Sequence, residues 1–258
     1  FIFTNNVRFQ LINAPGSINE FDFRYNNIIN NGSLGTVDGL VYRLPGSYNE
    51  SGSYFNDGTD FTFNNIFSNP LDGIIDIGET NRSIAVSYLN NYTHVVAENY
   101  YGTSNESLAN ETIIDYFEDN TKGIVYAEIS ASPSPLTNGI VWKVLVNDKD
   151  AQDEYALMDP VGVGTHEFKV YFNRTMDTSV DPQVSYGVTI PYNQNIITEE
   201  GSWSEDGKIY TVIHEVNIGA ADGINRIRVQ DAQDLDYFKI PVEDSRFNFL
   251  LQSAGSAS

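Results

Sequence analysis

The chain has 258 residues, no cysteine and a formal net charge of -21 at pH 7. This length accommodates either two domains of ordinary size or one large all-β domain. Without cysteine there are no disulfides, thiolate metal sites or cysteine nucleophiles, and the negative charge disfavours binding to nucleic acid or to an anionic membrane surface. No run approaches the roughly 20 apolar residues of a membrane-spanning helix.

Composition favours an all-β protein with two different patterns along the chain. Tyrosine (16) and phenylalanine (15) are abundant, and short apolar runs alternate with Gly, Asn, Ser and Thr, as in strand-and-turn proteins. Asparagine is concentrated in the first half, where 20 of the 28 asparagines lie within the first 130 positions. We therefore expect two domains, of which the first uses asparagine structurally.

In the first half, strand-like runs lead into asparagine pairs and turns, as in "FDFRYNNIINNG" (21–32) and "FTFNNIFSNPLDG" (61–73). The apolar runs recur near residues 21, 40, 61 and 84, a spacing of about 20 residues that is typical of solenoid repeats. In a parallel β-helix, an asparagine at a turn hydrogen-bonds to asparagines on neighbouring coils while apolar side chains fill a continuous core. The alternative is an antiparallel sandwich with Asn-rich hairpin turns.

A helical cap followed by a last strand is predicted at the end of this region. Asn110 is the predicted N-cap. A helix at about 107–121 would place three apolar side chains on one face, those of Ile113, Ile114 and Phe117. Such a helix, laid across an open coil end, would protect that edge from further strand pairing.

The same segment, "AENYYGTSNESLANETIIDYFEDNTKGIVYAEI" (97–129), resembles the closing segment of extracellular right-handed β-helix repeat proteins. In that family an Asn-Tyr-aromatic-Gly turn precedes a short helix, an acidic stretch and a Gly-Val/Ile-aromatic strand. The matching residues here are Asn99, Tyr100, Tyr101, Gly102, Asp115, Asp119, Gly123, Ile124, Val125 and Tyr126. Tyr101 stands where family members commonly have Trp. The resemblance implies a short right-handed parallel β-helix with a helical cap over residues 1–129.

A Ser/Pro-rich stretch, "SASPSPL", separates this region from the second domain and predicts an extended linker at 130–138. From residue 139 the chain alternates polar and apolar residues in six runs, at 139–148, 166–177, 183–190, 208–216, 224–232 and 245–252. That size and rhythm favour an immunoglobulin-like (Ig-like) β-sandwich over 139–258.

The second domain also resembles the Ig-like modules of bacterial and archaeal surface-layer and other large secreted proteins. In that family a Phe-Asn-x-x-Met-Asp turn and a Trp-containing segment recur. The matching residues here are Phe172, Asn173, Met176, Asp177 and Trp203. The resemblance implies a structural module that carries no catalytic residues.

The chain contains no G-x-S-x-G elbow, P-loop or dinucleotide-binding fingerprint, and its three histidines, at 94, 166 and 214, lack metal-ligand spacing. Four carboxylates could meet on adjacent coils as calcium ligands or as the acid pair of a glycosidase. They are Asp57, Asp60, Asp72 and Asp76. The alternative is that these are turn residues, because Asp-Gly favours turns. We expect no cofactor other than calcium.

Seven Asn-x-Ser/Thr sequons occur in the sequence. Six of them are candidate glycosylation sites in a secreted glycoprotein. These are Asn31, Asn49, Asn81, Asn91, Asn105 and Asn173. The seventh, Asn110, has the competing role of helix cap.

These features predict a non-enzymatic extracellular structural or adhesin-like surface protein, such as a subunit of a filament, sheath or surface layer. Its partners would be copies of itself, other surface proteins or glycans, and the apolar runs "FIF" and "FNFLLQ" are candidates for strand addition to a neighbour. The alternative is a carbohydrate-binding or polysaccharide-degrading β-helix protein with an accessory Ig-like domain. In that case Tyr100 and Tyr101 would stack against sugars.

Overall fold

The structure, a computed structural model, describes residues 2–4, 10–12, 21–22, 24–29, 41–43, 59–60, 62–67, 84–85, 93–95, 98–110, 113–114, 117, 124–126, 128–152 and 159–253. The chain divides into two compact units, Phe1–Thr137 (unit 1) and Asn138–Ser258 (unit 2). Its fold is all-β, as the composition predicts. Within the described ranges, no helix is long and apolar enough to cross a membrane.

Short strands of unit 1 pair side by side in parallel. They are β1 (Ile2–Thr4), β2 (Gln10–Ile12), β3 (Phe21–Asp22), β4 (Asn27–Ile29), β5 (Val41–Arg43), β6 (Thr59–Asp60), β7 (Asn65–Phe67), β8 (Ile84–Ala85), β9 (Thr93–Val95), β10 (Ile113–Ile114) and β11 (Ile124–Tyr126). One sheet has the order β1-β4-β7, and the other pairs are β2 with β5, β3 with β6, β8 with β10 and β9 with β11. Among the residues of unit 1 that the structure describes, every strand pair is parallel, which argues against the antiparallel alternative.

The strands that pair in unit 1 are farther apart in sequence than the spacing of apolar runs predicts. Asn27 and Asn65, the first residues of β4 and β7, are in register although they lie 38 positions apart. The predicted repeat of about 20 residues is therefore wrong. Strands β3, β5 and β6 lie close to the apolar runs near residues 21, 40 and 61, yet β5 belongs to a different sheet from β3 and β6. The spacing of the runs therefore separates strands of different sheets and is not the spacing between strands that pair.

Helix α1 spans Glu106–Asn110 and is much shorter than predicted. Its N-cap is Asn105, whose Oδ1 accepts a hydrogen bond from the Ser107 backbone N–H at 3.0 Å. Asn110 is the last residue of the helix, so the predicted N-cap at Asn110 and the predicted helix at 107–121 are wrong. Strand β10 follows closely and pairs with β8, because its two isoleucines favour a strand where a neighbouring strand is available.

Unit 2 contains two antiparallel sheets. Its strands are β12 (Val141–Val146), β13 (Lys149–Asp150), β14 (Gly164–Phe172), β15 (Gln183–Gly187), β16 (Asn195–Ile196), β17 (Ser202–Trp203), β18 (Ile209–Val216), β19 (Gly223–Gln230) and β20 (Asn248–Leu251). The sheet orders are β13-β12-β14-β18-β17 and β16-β15-β19-β20. The six runs predicted from alternation coincide with β12, β14, β15, β18, β19 and β20, so these strands are confirmed.

The two sheets of unit 2 share one hydrophobic core. Alternate residues of β14, β18 and β19 are buried, as expected of strands with one face covered. The Phe168 ring of the first sheet stacks with the Tyr186 ring of the second, with centroids 6.1 Å apart. Phe249 packs edge-on against both rings. Aromatic side chains of this kind bury about 150–250 Å² each and stabilise a core strongly.

Candidate functional site

In three turns among the described residues of unit 1, an asparagine follows a residue of positive φ. The pairs are Tyr25 (φ 60°) with Asn26, Phe63 (φ 57°) with Asn64 and Glu98 (φ 58°) with Asn99. Residues other than glycine rarely adopt this left-handed backbone conformation, which costs them roughly 1–2 kcal/mol each. The recurrence of this cost before each asparagine indicates that the contacts of the asparagine compensate for it.

The three asparagines form a continuous hydrogen-bonded row, here called the asparagine ladder (Asn26, Asn64 and Asn99). The backbone N–H and the Nδ2 of Asn26 both donate to Asn64 Oδ1, each at 3.0 Å. Asn64 repeats the arrangement towards Asn99 Oδ1, at 2.9 Å from its backbone nitrogen and 3.0 Å from Nδ2. All three residues are at most 4% exposed. The predicted contact between asparagines of neighbouring turns is therefore present.

A second buried row lies one residue further along the chain. Asn27 and Asn65 are fully buried, and Asn65 Nδ2 donates to Asn27 Oδ1 at 2.8 Å. In the third turn the corresponding position is Tyr100, which bridges to Asn65 in parallel. Two asparagines, here called the buried pair, therefore lie beside a ladder of three.

These amides fix which residues lie next to one another. An amide side chain neither titrates near neutral pH nor acts as a nucleophile, so the ladder supplies no acid–base chemistry. Moving one strand by a single residue would separate buried donors from their acceptors, and each unsatisfied group would cost about 1–3 kcal/mol. The ladder therefore helps to specify the register of the strands beside it.

An aromatic pair lies beside the ladder. The Tyr25 and Phe63 rings stack with centroids 5.5 Å apart and an interplanar angle of 12°, and the Arg24 guanidinium lies 5.7 Å from the centre of the Tyr25 ring. Tyr25 is 38% exposed. Stacking and cation–π contacts of this kind each contribute about 0.5–1.5 kcal/mol, so the outside of the turns reinforces the same register.

Of the four aspartates predicted to bind calcium, only Asp60 has a described backbone position. Asp60 ends β6, in register with Asp22 of β3, whereas Asp57, Asp72 and Asp76 lie outside the described residues. No group of three or more histidine, aspartate or glutamate side chains in the described part of the chain is arranged to hold a metal ion. The calcium site stays a prediction.

The candidate glycosylation sites fall into two groups. Asn31, Asn49, Asn81 and Asn91 lie outside the described residues, while Asn105 is exposed and caps α1. Asn173 is only 6% exposed. Its Oδ1 accepts from the Ile140 N–H at 2.8 Å, and its Nδ2 donates to the Asn138 carbonyl at 3.3 Å. A glycan on Asn173 would break this connection between the start of β12 and the end of β14, so the folded unit does not present Asn173 for glycosylation.

The two tyrosines predicted to stack against sugars are not on the surface. Tyr100 is 4% exposed and Tyr101 is 2% exposed. Burial raises the pKa of the Tyr101 hydroxyl well above its ordinary value, and the Asn99 side chain partly opposes this shift. Neither ring offers a face to a ligand, so the prediction of sugar-stacking at these positions is wrong.

Unit 2 contains a polar cluster that the sequence alone did not reveal. The Tyr186 hydroxyl lies 3.1 Å from His214 Nε2, and His214 Nδ1 lies 2.9 Å from both carboxylate oxygens of Glu199. Burial alone would raise the pKa of Glu199, but hydrogen bonds from His214 and from backbone N–H groups outweigh it and lower the pKa to about 2. Burial, together with the Glu199 charge, raises the pKa of Tyr186 to about 12.

This cluster stabilises the core rather than forming a reaction centre. Tyr186 is 1% exposed and its raised pKa disfavours the phenolate, so it cannot reach or attack a substrate. The Glu199 carboxylate also accepts backbone N–H bonds from Thr198 and Glu215, at 3.1 and 3.3 Å. The cluster therefore holds the segment after β16 against β18. No sequence spacing links these residues, because they come from three separate parts of unit 2.

Two buried carboxylates in unit 2 are also paired. Asp234, which is fully buried, accepts hydrogen bonds from the backbone N–H groups of Gly139 and Phe238, each at 3.0 Å, and lies 3.4 Å from an Arg174 nitrogen. Glu243 binds the buried Arg246 at 2.7 and 2.9 Å. Each charge is compensated by hydrogen bonds and an opposite charge, as buried ions require. These contacts connect loops of the fold to its strands.

Comparison of the chain with protein-family models, with curated proteins and with solved structures found no match.

Proposed function

We propose that this chain is a non-enzymatic structural or adhesin-like protein of the cell surface or extracellular space, a subunit of a filament, sheath or surface layer. In this proposal, residues 1–129 are coils of a short right-handed parallel β-helix, and residues 139–258 are an Ig-like β-sandwich. The observation that carries the proposal is the asparagine ladder, whose hydrogen bonds connect turns 38 and 35 residues apart in sequence.

The ladder supports a stacked architecture because its three turns are similar. In each turn a residue of positive φ precedes the asparagine, Asn26 and Asn64 each donate two hydrogen bonds to the next asparagine, and the strands that follow the first two turns, β4 and β7, pair in parallel. Stacked coils of this kind bury a continuous core and build an elongated unit, since each coil contacts only its neighbours. Such a rod suits a stalk or filament, where stiffness rather than chemistry is the function.

The second unit supports the same role. Its two antiparallel sheets and shared core have the size of an Ig-like module, and its polar cluster and buried ion pairs stabilise the fold. Strand β20, which covers part of "FNFLLQ", pairs with β19 and bridges to Val161. Strand β1, in "FIF", pairs with β4. Each run therefore pairs within its own unit, and in this proposal β1, which ends the order β1-β4-β7, stays a candidate for strand addition by a neighbour.

Electron microscopy of the native protein, with and without Ca²⁺, tests this function. We expect ordered filaments, sheets or lattices, because a structural subunit associates with copies of itself or with other surface proteins. Dispersed monomers under every ionic condition would contradict the proposal. A screen against plant and microbial polysaccharides is the complementary measurement, in which saturable binding or cleavage would support the carbohydrate-directed alternative instead.

A further inference from the structure

The segment that follows the β-bridge between Asn99 and Ile129 lies against the buried pair. The Ser134 backbone N–H donates to Asn65 Oδ1 at 2.7 Å, and Asn65 Nδ2 donates to Thr137 Oγ1 at 2.8 Å. Pro133 is buried and Thr137 is only 1% exposed. These positions belong to the stretch that the sequence assigns to an extended linker.

Residues 133–137 form a compact turn. The Thr137 hydroxyl donates to the Ser134 carbonyl at 3.2 Å, and the Leu136 N–H donates to Ser134 Oγ at 3.3 Å. The turn directs its polar groups towards Asn65 and leaves the Leu136 side chain 62% exposed. Short side chains that bond to nearby backbone are typical of such turns.

We propose that residues 133–137 are a strap that closes the buried pair and fixes the point at which the chain leaves unit 1. The ladder continues through a third asparagine, Asn99, but the buried pair does not, because Tyr100 occupies the next position. The Ser134 N–H of the strap donates to Asn65 Oδ1, in the way that Asn65 Nδ2 donates to Asn27 Oδ1. This inference does not depend on the proposed function.

Opening of the strap would cost Asn65 two hydrogen bonds. Opening would remove the Ser134 N–H from Asn65 Oδ1 and the Thr137 hydroxyl from Asn65 Nδ2, in a place where Asn65 itself is fully buried. Buried amides that lose partners are costly, so the open state is rare. The stretch that composition predicts to be a spacer is therefore part of the folded unit.

Two substitutions at one position test the strap in the full chain. Thr137→Val keeps the shape of the side chain and removes the hydroxyl, while Thr137→Ser keeps the hydroxyl and serves as the matched control. Hydrogen exchange measures the Ser134 amide, and chymotrypsin cleavage after the exposed Leu136 measures strap opening. Loss of one buried hydrogen bond raises a local opening equilibrium by about tenfold.

In the unsubstituted protein we expect the Ser134 amide to exchange at least about a hundredfold more slowly than in an unstructured peptide. Thr137→Val should increase both exchange and cleavage by about tenfold, while Thr137→Ser should stay within about threefold of the unsubstituted rates. Exchange of Ser134 at the rate of an unstructured peptide would overturn the proposal without any variant. Equal cleavage rates for the valine and serine variants would overturn it as well.

Discussion

Asn64→Ala is the substitution that most directly perturbs the asparagine ladder. Asn64 occupies the middle of the row and is fully buried. Its Oδ1 accepts two hydrogen bonds from Asn26 and its Nδ2 donates one to Asn99. The backbone N–H of residue 64, which also donates to Asn99 Oδ1, remains in the variant. The substitution therefore removes three of the four ladder bonds that involve this residue.

The magnitude follows from the groups that lose a partner. Two buried N–H donors of Asn26 lose this acceptor, and a buried group left unsatisfied costs about 1–3 kcal/mol. Because the groups are neighbours, the effects do not add fully, and we expect the free energy of unfolding of unit 1 to fall by about 3 kcal/mol. With a urea dependence of about 1–3 kcal/mol per molar, the unfolding midpoint of this unit should shift by about 1–3 M.

The two units can be followed separately in one sample. Both tryptophans, Trp142 and Trp203, lie in unit 2, so tryptophan fluorescence reports the unfolding of that unit alone. Hydrogen exchange of peptides that cover residues 24–29 and 62–67 reports unit 1. We expect Asn64→Ala to accelerate exchange in these peptides while the fluorescence transition in urea stays within about 0.3 M of the original.

Asn110→Ala is the matched control, because Asn110 is an exposed asparagine of the same unit at the end of α1. It should change the stability of unit 1 by less than about 0.5 kcal/mol, as is usual for exposed positions. Equal effects of Asn64→Ala and Asn110→Ala would refute the reasoning. The reasoning would also be refuted if Asn64→Ala shifted the fluorescence transition of unit 2 as much as the unfolding of unit 1, since the substitution would then not act on unit 1 specifically.

Two further predictions concern unit 2. The lowered pKa of Glu199, about 2 against an ordinary 4.5, contributes stability that is complete above about pH 4.5 and is lost as the pH falls towards 2. Because the side chain is 38% exposed, screening reduces this contribution to about 1 kcal/mol. The difference in urea midpoint between Glu199→Gln and the original protein should therefore shrink as the pH falls from about 4.5 to about 2. A difference that does not depend on pH would contradict this prediction. Gly201→Ala places a methyl group against the Tyr210 ring and should lower the free energy of unfolding by about 2 kcal/mol. At Gly219 an added methyl group would meet no atom within 4 Å, so Gly219→Ala should lower it by less than about 1 kcal/mol. Equal losses of stability in the two variants would contradict the packing argument.

The long strands of unit 2 could be predicted because the alternation of polar and apolar residues that marks each strand lies within that strand. One face of each long strand is buried and the other is partly or fully exposed, so hydrophobicity alternates along β14, β18 and β19. The two-residue strands at the sheet edges, such as β16 and β17, are too short for a period to be read. The cluster of Tyr186, His214 and Glu199 also escaped prediction, because its members meet only after the sheets have packed.

In unit 1 the residue type could be predicted but the repeat could not. The pairs "NN" at 26–27 and 64–65 indicated asparagines that bond to one another across neighbouring turns, and the structure contains those bonds. Parallel strands need long connections, so the partner of a strand is not its neighbour in the sequence. The apolar residues at 113, 114 and 117 have the spacing of one helix face, yet Ile113 and Ile114 form a strand because they pair with β8.

In unit 1, strands β4 and β7 stack in register although they lie 38 positions apart in sequence. The chain has no cysteine, so a Tyr25→Cys/Phe63→Cys variant can form only one intramolecular disulfide. Adjacent strands lie about 4.8 Å apart, within the roughly 4.4–6.8 Å that a disulfide spans between Cα atoms. Peptide mapping under mild oxidation should find this cross-link in most molecules, and none in Tyr25→Cys/Arg43→Cys, whose spacing is closer to 20 residues. Cross-linking of the second pair and not the first would contradict the stacked arrangement.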